Sequence, residues 1–246
     1  MQRFYVKEKD INNNTITISG DNFKHITKVL RMKIGNEIYC SYNKMDYICA
    51  VSSIEDDYLT LIILDILEND TEPKNYIHLY QGLPKQDKLE YIIQKSTEVG
   101  VSEITPVETS FCISKINKKS KDKNKRLQKI AENAAYQCGR GVVPKVNEPI
   151  NFKEMLLADF SSSLNIIAYE KEETTNLKKL LNCIDIEHFE KINVFIGAEG
   201  GFAPEEIDRL KYHGFKTITL GKRILRTETA PIVLISNLIY ELELEV

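Results

Sequence analysis

The stretch INVFIGAEGGFAPEE at residues 192–206 indicates how the second half of the chain folds. An apolar run typical of a buried strand leads into a glycine-rich loop. Pro204 follows where a helix should begin, because the first turn of a helix has unpartnered N–H groups and proline lacks one. The glycine spacing, G-x-x-G-G, excludes both the dinucleotide fingerprint and the P-loop. A tight turn explains the glycines as well as a ligand-binding loop does, but a turn does not require Glu199.

Strand-like runs alternate with helical patterns on both sides of this stretch. The strand-like runs lie at 77–81, 103–108, 164–170, 192–197 and 216–220, and the helical patterns near 85–99, 123–138, 204–213 and 229–243. This alternation predicts an α/β fold with a parallel sheet covered by helices. The last helix is apolar over much of its circumference, so it is either buried within one subunit or packed against a partner.

The first 70 residues follow a different pattern. Short runs rich in β-branched and aromatic residues lie at 3–6, 15–18, 37–42, 47–54 and 58–64, with one helical pattern at 21–33. The helical pattern places Phe23, Ile26, Val29 and Leu30 on one apolar face. Several short strands around one helix predict a small β-barrel. The polar segment ENDTEPKN at 68–75 is typical of a linker. We therefore expect two domains, at 1–71 and 72–246.

The composition is that of an ordinary globular protein. The chain has 33 Lys and Arg against 36 Asp and Glu, which excludes a uniformly basic nucleic-acid-binding protein but not a local basic patch. Five scattered cysteines without a C-x-x-C pair predict neither a disulfide scaffold nor a metal site. The N-terminus has no apolar signal region, and the most apolar run, at 230–240, is too short for a bilayer. We expect a cytoplasmic protein that uses no metal and no membrane.

A second loop, LGKRILRTETA at 220–230, lies between the last predicted strand and the last helix. Ligands of α/β folds bind at the carboxyl ends of the strands. We therefore expect this loop and the glycine-rich loop to face each other across one pocket. Ile224 and Leu225 either fill the core or line an apolar slot for a flat ring. The charged residues of the loop either serve that site or form a solvated cluster.

Two basic segments are candidates for phosphate contacts. The run KINKKSKDKNKR at 115–126 carries a single acid in an otherwise acidic chain. That contrast strengthens the case for a phosphate-backbone contact, although most such runs are solvated surfaces. The segment QCGRGVVP at 137–144 places Arg140 between two glycines just past a helix, and we expect its guanidinium to be exposed on a flexible turn. An ordinary helix-ending loop explains this segment nearly as well.

With these residues in view, the chain resembles the RsmE-like family of small-subunit ribosomal RNA uridine-N3 methyltransferases, within the knotted SPOUT superfamily. The resemblance covers almost the whole chain. It is carried by GAEGGF at 197–202 and LGKRILRTETA at 220–230, with support from HITKVLRMKIGN at 25–36, from 84–106 and from QCGRGVVP at 137–144. The chain departs from the family pattern at Ala198, which replaces a proline, and at Lys24 and Asn36, which replace a histidine and an aspartate.

The resemblance implies a PUA-like β-barrel followed by a SPOUT domain with a C-terminal trefoil knot, assembled as a homodimer. It implies S-adenosylmethionine as the methyl donor and N3 of a specific uridine in 16S ribosomal RNA as the target. The partner is then ribosomal RNA or the small ribosomal subunit. This reaction needs no metal, but it requires exclusion of water, in-line placement of the nucleophile and removal of the N3 proton.

The resemblance and the chemistry of the side chains together predict the site residues. For the cofactor we expect Gly197, Glu199, Gly200, Leu220, Gly221, Ile224, Leu225, Arg226 and Ala230. For catalysis, Glu199 or Glu228 takes the proton or orients the base, and Arg226 stabilises the uridine anion. For the RNA we expect contacts from His25, Arg31, Lys118, Lys119, Lys121 and Arg140. We also expect Gly200 to adopt a positive φ and to leave room for the ligand.

Three other functions remain open from the sequence. The chain could be a noncatalytic RNA-binding module, a SPOUT methyltransferase with a different RNA target, or an α/β enzyme that acts on a small metabolite. The last of these leaves the barrel and the lysine run unexplained. Calorimetry with S-adenosylmethionine distinguishes the first, because a pure RNA-binding module gives no heat.

Overall fold

The computed structural model describes residues 3–85, 87–116 and 120–243 of the chain, without the side chains of 120–122 and 187. The chain forms two compact units. The first runs to Glu72 and also includes Ala135–Val143, whereas the second contains Pro73–Ala134 and resumes at Pro144. The sequence predicted two consecutive domains, with 135–143 in the second. In the structure this segment belongs to the first unit.

The first unit is built on a six-stranded sheet. Its strands are β1 (Arg3–Tyr5), β2 (Ile11–Asn12), β3 (Thr15–Ser19), β4 (Glu37–Tyr42), β5 (Met45–Ile54) and β6 (Tyr58–Glu68), in the order β1-β4-β5-β6-β3-β2. β1 pairs with β4 in parallel, and the other described pairs are antiparallel. Alternate side chains such as Ile16, Leu59 and Leu61 are fully buried, as expected for a sheet with one face on a core.

The helix of the first unit differs from its prediction. α1 (Gly20–Lys24) continues as a π-helical segment, His25–Val29, in which the Leu30 N–H donates to the His25 carbonyl at 2.9 Å. The wider turn leaves Val29 66% exposed, although a regular 3.6-residue period predicted it on the buried face. Arg31 then adopts a φ of 53°, and the helix ends.

Polar contacts explain why Ala135–Val143 belongs to the first unit. Arg3 Nη1 donates to the Gly139 carbonyl at 2.8 Å, and Tyr5 OH donates to the Arg140 carbonyl at 2.6 Å. The Arg140 guanidinium pairs with the Glu72 carboxylate at 2.5 Å. These partners lie far away in sequence, so the local pattern of QCGRGVVP could not indicate them.

The second unit contains a seven-stranded sheet in which all described pairings are parallel, as the sequence predicted. The strands are β7 (Tyr76–Gly82), β8 (Glu103–Glu108), β9 (Lys145–Val146), β10 (Ile150–Asn151), β11 (Leu164–Ala168), β12 (Lys191–Ile196) and β13 (Lys216–Ile218). They lie in the order β10-β8-β7-β12-β11-β13, and β9 also pairs with β8. The sequence did not predict β9 and β10, because a strand of two residues is too short to show an alternating pattern of side chains.

Helices pack on both faces of this sheet. They are α2 (Lys88–Glu98), α3 (Ser120–Cys138), α4 (Phe152–Met155), α5 (Leu177–Leu181), α6 (Pro204–Tyr212) and α7 (Ala230–Glu243). On one face Val194 of β12 shares a core with Ile92 and Leu234, and on the other face Phe195 shares a core with Leu210. Successive residues of β12 thus supply two cores. In the described part of the chain, no helix has the length and apolar character that would let it cross a membrane.

Candidate functional site

A cavity of about 560 Å³ lies at the carboxyl ends of β11, β12 and β13. It is lined by 168–170, 196–202 and 219–227, together with Lys88 and Ala230. The carboxyl ends of parallel strands meet at one edge of a sheet, where α/β folds bind ligands. The glycine-rich loop and the 220–230 loop therefore share one cavity, as the sequence predicted, and its volume is that of a typical ligand site.

All nine residues expected at the cofactor line this cavity. Leu220, Leu225 and Ala230 also contact the core, so they give the wall a fixed apolar side. Ile224 is 85% exposed and therefore does not fill the core. Arg226 is also largely exposed, so its guanidinium is free to reach a ligand at the rim. Whether these nine residues bind a cofactor stays a prediction.

Buried hydrogen bonds tie the two loops together. Thr227 Oγ1 donates to the Gly197 carbonyl at 2.7 Å, and Gln81 Nε2 at the end of β7 donates to Thr227 Oγ1 at 3.0 Å. Gln81 and Thr227 are both buried. Because bonds in a dry environment are costly to break, this chain of contacts fixes the distance between the loops.

Gly82 allows the glycine-rich loop to cross the end of β7. A Cβ added at Gly82 would lie 2.4 Å from the Ala198 nitrogen and 2.8 Å from the Gly197 carbonyl carbon. Both are backbone atoms, which cannot rotate away as a side chain can. The loop can therefore take this position only because residue 82 has no side chain.

The prediction that Gly200 adopts a positive φ is wrong. The left-handed conformations of the two loops occur at Gly201, with φ 68°, and at Gly221, with φ 114°. A Cβ at Gly200 would instead lie 2.8 Å from the Phe111 Cβ. Gly200 is thus a point of close packing against a neighbouring loop, because Phe111 occupies the space beside it.

Lys88, at the start of α2, links the two candidate proton acceptors. Its Nζ lies 3.1 Å from Glu199 Oε1 and 3.2 Å from Glu228 Oε2. Glu199 lines the cavity. Glu228 does not line it, but it contacts the lining residue Lys88. Glu228 Oε2 is buried, and its ion pair with the Lys88 ammonium compensates its charge. Glu228 Oε1 is 4.0 Å from Arg226 Nη1.

The surroundings of this cluster keep its charges in place. Burial raises the pKa of Glu199, but hydrogen bonds from its own N–H, from the Lys85 N–H and from Lys88 outweigh burial, so the pKa lies below its usual value. Hydrogen bonds to Glu199 and then to Glu228 raise the pKa of Lys88. Glu199 is therefore a carboxylate and Lys88 an ammonium throughout the neutral pH range.

The expectation that Arg140 exposes its guanidinium is wrong. The residue is 3% exposed, and its Nε and Nη2 donate to the two carboxylate oxygens of Glu72. A buried bidentate pair of this kind holds a segment in place and is not available to a phosphate. Arg140 is therefore a structural residue of the first unit.

The other predicted RNA contacts have different positions. His25 and Arg31 are exposed on the first unit, where Lys24 and Lys28 are exposed as well. Lys118 and Lys119 lie outside the described residues, as does the side chain of Lys121. Charges elsewhere in the basic run, and at Lys129 just after it, are partly compensated by ion pairs of Lys115 with Glu108, Arg126 with Glu90, and Lys129 with Glu132.

Comparisons with known proteins agree with this architecture. A sequence model described as an RNA methyltransferase domain matches residues 71–239, and one described as an RNA methyltransferase PUA domain matches residues 18–64. The ribosomal RNA small subunit methyltransferase E of Bacillus subtilis (strain 168) is 33% identical over 99% of this chain and 98% of its own length.

This chain belongs to the ribosomal RNA small subunit methyltransferase E family. The member from Mesomycoplasma hyopneumoniae (strain 232) is also 33% identical, over 97% of this chain and 99% of its own. The crystal structure of the member from Neisseria gonorrhoeae, bound to S-adenosyl methionine, superposes with a TM-score of 0.84 at 30% identity, covering 97% of this chain and 96% of that one. The predicted fold class, a SPOUT domain with a PUA-like β-barrel, is confirmed. The trefoil knot stays a prediction.

Sequence reasoning missed four residues of this family member's site. Gln81 and Gly82 end a strand that was recognised only to residue 81, and Lys88 and Thr227 lay inside quoted motifs without a role. A lysine at the first turn of the helix that follows a strand end could have been noticed, because that position faces the ligand edge. Among the described residues, no group of three or more His, Cys, Asp or Glu side chains could hold a metal ion.

Proposed function

We propose that this protein methylates N3 of a specific uridine in 16S ribosomal RNA with S-adenosylmethionine as the donor. The observation that carries the proposal is the cavity between the 196–202 and 219–227 loops. Its position at the carboxyl edge of a SPOUT sheet agrees with the activity that the family name states. We also infer that the protein acts in the cytoplasm, where ribosomal RNA is available.

The residues of the cavity fit this cofactor. Leu220, Leu225 and Ala230 offer an apolar wall for a flat ring, and the bare backbone of the glycine loop allows close approach. The carboxylates of Glu170 and Glu199 line the same cavity and complement the positive charges of the donor. When bound, S-adenosylmethionine supplies a methyl group attached to a cationic sulfur, which explains why no metal is needed.

In the proposed mechanism Glu199 accepts the proton of uridine N3. It is the candidate acid that lines the cavity, and its lowered pKa keeps it ionised and able to accept a hydrogen bond. A carboxylate of this kind orients the N3–H group and takes its proton as the transition state forms. Glu228 has a different role, because it holds the Lys88 ammonium next to Glu199.

Negative charge develops on the uracil ring as the proton leaves. Arg226 lines the cavity with an exposed guanidinium, and Lys88 lies beside Glu199. Both groups are placed to stabilise that charge, and such preorganised electrostatic contacts usually contribute the largest share of catalysis.

We propose that residues 1–71, together with the 135–143 segment of the same unit, form the RNA-binding domain, and that the rest of 72–246 forms the methyltransferase domain. His25 and Arg31 are exposed on the first unit and suit phosphate contacts. Lys118, Lys119 and Lys121 are proposed to add contacts from the basic run. Affinity for ribosomal RNA should then fall steeply with salt. Replacing the three lysines with alanine should weaken binding and reduce the salt slope, and an unchanged slope would mean that the run is a solvated surface.

We further propose that the protein is a homodimer joined through α7. Leu234, Ile235 and Leu238 are fully buried in the subunit, but Ile232 and Val233 are only half-buried and Tyr240 is 63% exposed. An apolar surface that remains after folding favours a partner. Light scattering should give about twice the 28.3 kDa of one chain. A monomer with full methyltransferase activity would refute the dimer.

The experiment that tests the function is a map of base-methylated uridines in ribosomal RNA. The RNA comes from cells with the protein, from cells without it, and from cells complemented with variants. One N3-methylated uridine should disappear on deletion and return with the wild-type chain or with Glu205→Gln, whose side chain is exposed outside the cavity. It should not return with Glu199→Gln. An unchanged map after deletion, or no heat with S-adenosylmethionine in calorimetry, contradicts the proposal.

A further inference from the structure

One phenylalanine of the second unit is exposed beside the cavity. The chain has nine phenylalanines, all within the described residues, and Phe111 is the only one of them that is exposed, at 50%. It follows β8, in the turn from Thr109 to Cys112. The ring has no polar atom that would gain from contact with water, so its exposure is an observation that needs a cause.

The backbone around Phe111 is anchored on three neighbours. The Ser110 N–H and hydroxyl both donate to Glu206 Oε1, at 2.8 and 3.0 Å, and Glu206 Oε2 accepts from the Ala203 N–H at the start of α6. The Cys112 side chain is buried against Leu83 and Ala198. A turn fixed in this way holds the Phe111 ring outward, instead of letting it collapse onto the surface.

The ring lies next to the loop that forms the cavity. The Phe111 Cβ approaches Gly200 so closely that a side chain there would lie 2.8 Å away, and Glu199 precedes Gly200. Phe111 itself does not line the cavity, but it packs against Gly200, which does. Ile113, 67% exposed, extends the apolar surface.

Cationic side chains accompany this apolar surface. Lys85 is exposed, and its N–H donates to Glu199 at 3.1 Å, which places it at the same edge of the cavity. Lys115 is 58% exposed and pairs with Glu108 at 3.1 Å, so its ammonium also lies in this region. Exposed aromatic rings with neighbouring cations are what proteins use to bind single-stranded nucleic acid, because every base has a face that can stack.

We propose that Phe111 stacks on a base of the RNA strand next to the uridine that enters the cavity. The proposal rests on the proposed function and adds a subsite to it, a nucleobase platform outside the cofactor pocket. Lys85 and Lys115 contact the phosphates on either side of the stacked base. The platform positions the strand, so it acts on RNA affinity and not on the affinity for the methyl donor.

Fluorescence tests the stacking directly, because the chain contains no tryptophan. Phe111→Trp creates the only indole in the protein. Its emission should be quenched when small ribosomal subunits from cells lacking the enzyme are added, as a stacked base quenches indole. Tyr212→Trp is the matched control, since Tyr212 is 89% exposed at the far end of α6 from the cavity. Equal responses at the two positions would overturn the proposal.

Affinity provides the second measurement. Phe111→Ala keeps the Cβ that packs on Gly200 and removes the ring, so affinity for the same subunits should fall about 5- to 150-fold while calorimetric affinity for S-adenosylmethionine stays unchanged. Phe111→Leu should bind as weakly as the alanine variant, because it is apolar but cannot stack. If the leucine variant binds like wild type, Phe111 makes an ordinary apolar contact and the proposal fails. If the alanine variant changes the mass in light scattering, Phe111 contacts another protein chain and the proposal also fails.

The two hypotheses fail in different ways. If the wild-type chain binds S-adenosylmethionine and methylates the subunits while Phe111→Ala does both equally well, the platform is refuted and the function stands. If the wild-type chain neither binds the donor nor methylates, the proposed function fails and the platform fails with it.

Discussion

The contact between Gly82 and the glycine-rich loop leads to the sharpest prediction. Gly82→Ala adds one methyl group at the end of β7, at a residue that does not itself line the cavity. That Cβ would lie 2.4 Å from the Ala198 nitrogen, 2.8 Å from the Gly197 carbonyl carbon and 3.2 Å from the Gly197 Cα. All three contacts are with backbone, so the strain can be relieved only by moving the loop or the strand.

The size of that movement follows from the distances. Ordinary van der Waals contact begins at 3.4 Å, so the loop must retreat by about 1 Å from a Cβ at 2.4 Å. The carbonyl of Gly197 moves with it, and so does Glu199. A misplacement of about 1 Å costs about 100-fold in rate. We expect kcat/KM for methyl transfer to fall by about that factor, with about 1–3 kcal/mol lost from folding stability.

The assay compares methylation of unmethylated small subunits with calorimetric affinity for S-adenosylmethionine and thermal unfolding. Gly214→Ala is the matched control. Gly214 also belongs to the second unit and has a φ of 84°, but its added Cβ meets only Asn165, at 4.0 Å. It should lose about 1–2 kcal/mol of stability through backbone strain, yet keep wild-type activity below its melting temperature. Wild-type kcat/KM in folded Gly82→Ala would refute the reasoning.

Three further predictions concern single contacts. Lys88→Met removes an ammonium that lowers the pKa of Glu199, so the acid limb of the pH–rate profile should move to higher pH; an unmoved limb would separate Glu199 from catalysis. Arg140→Met leaves a carboxylate buried without its cation, and the free energy of unfolding measured with urea should fall by about 3–5 kcal/mol; a loss below about 1 kcal/mol would mean that water reaches this pair. Gly200→Val should weaken binding of S-adenosylmethionine in calorimetry by displacing the loop away from Phe111, and the double variant with Phe111→Ala should recover part of the affinity.

Local patterns were sufficient for the elements themselves. The strands EIYCSY and EITPVE were predicted with their observed bounds, β4 at Glu37–Tyr42 and β8 at Glu103–Glu108. Burial alternates over part of β4, whereas four consecutive residues of β8 are buried, as in a strand covered on both faces. Both runs are short and rich in residues that favour strands, so one short window holds the signal. The pattern failed at Val29, because a π-helical turn changes the period and leaves that residue exposed.

The strand order lies beyond such patterns. β12 lies between β7 and β11, although more than 100 residues separate it from β7. A run such as INVFIG shows that a strand is buried, but its neighbours are chosen by the packing of helices on both faces of the sheet. The family resemblance implied the fold class, but the order of the strands was not predicted from the sequence.

In the candidate site, too, the local sequence predicted some features, whereas others depend on residues distant in sequence. The letters GAEGGF and LGKRILRTETA indicated which loops line the cavity, because both follow predicted strands and α/β folds bind ligands at the carboxyl ends of strands. The geometry of the loops depends instead on Gln81, which reaches Thr227 across 146 residues of sequence. Arg140 gives the opposite case, since its local setting predicted an exposed cation and Glu72, 68 residues away, makes it a buried structural one. A charged or glycine-rich loop therefore predicts its chemistry from its own residues, whereas the availability of each side chain is decided by partners that only the folded chain brings near.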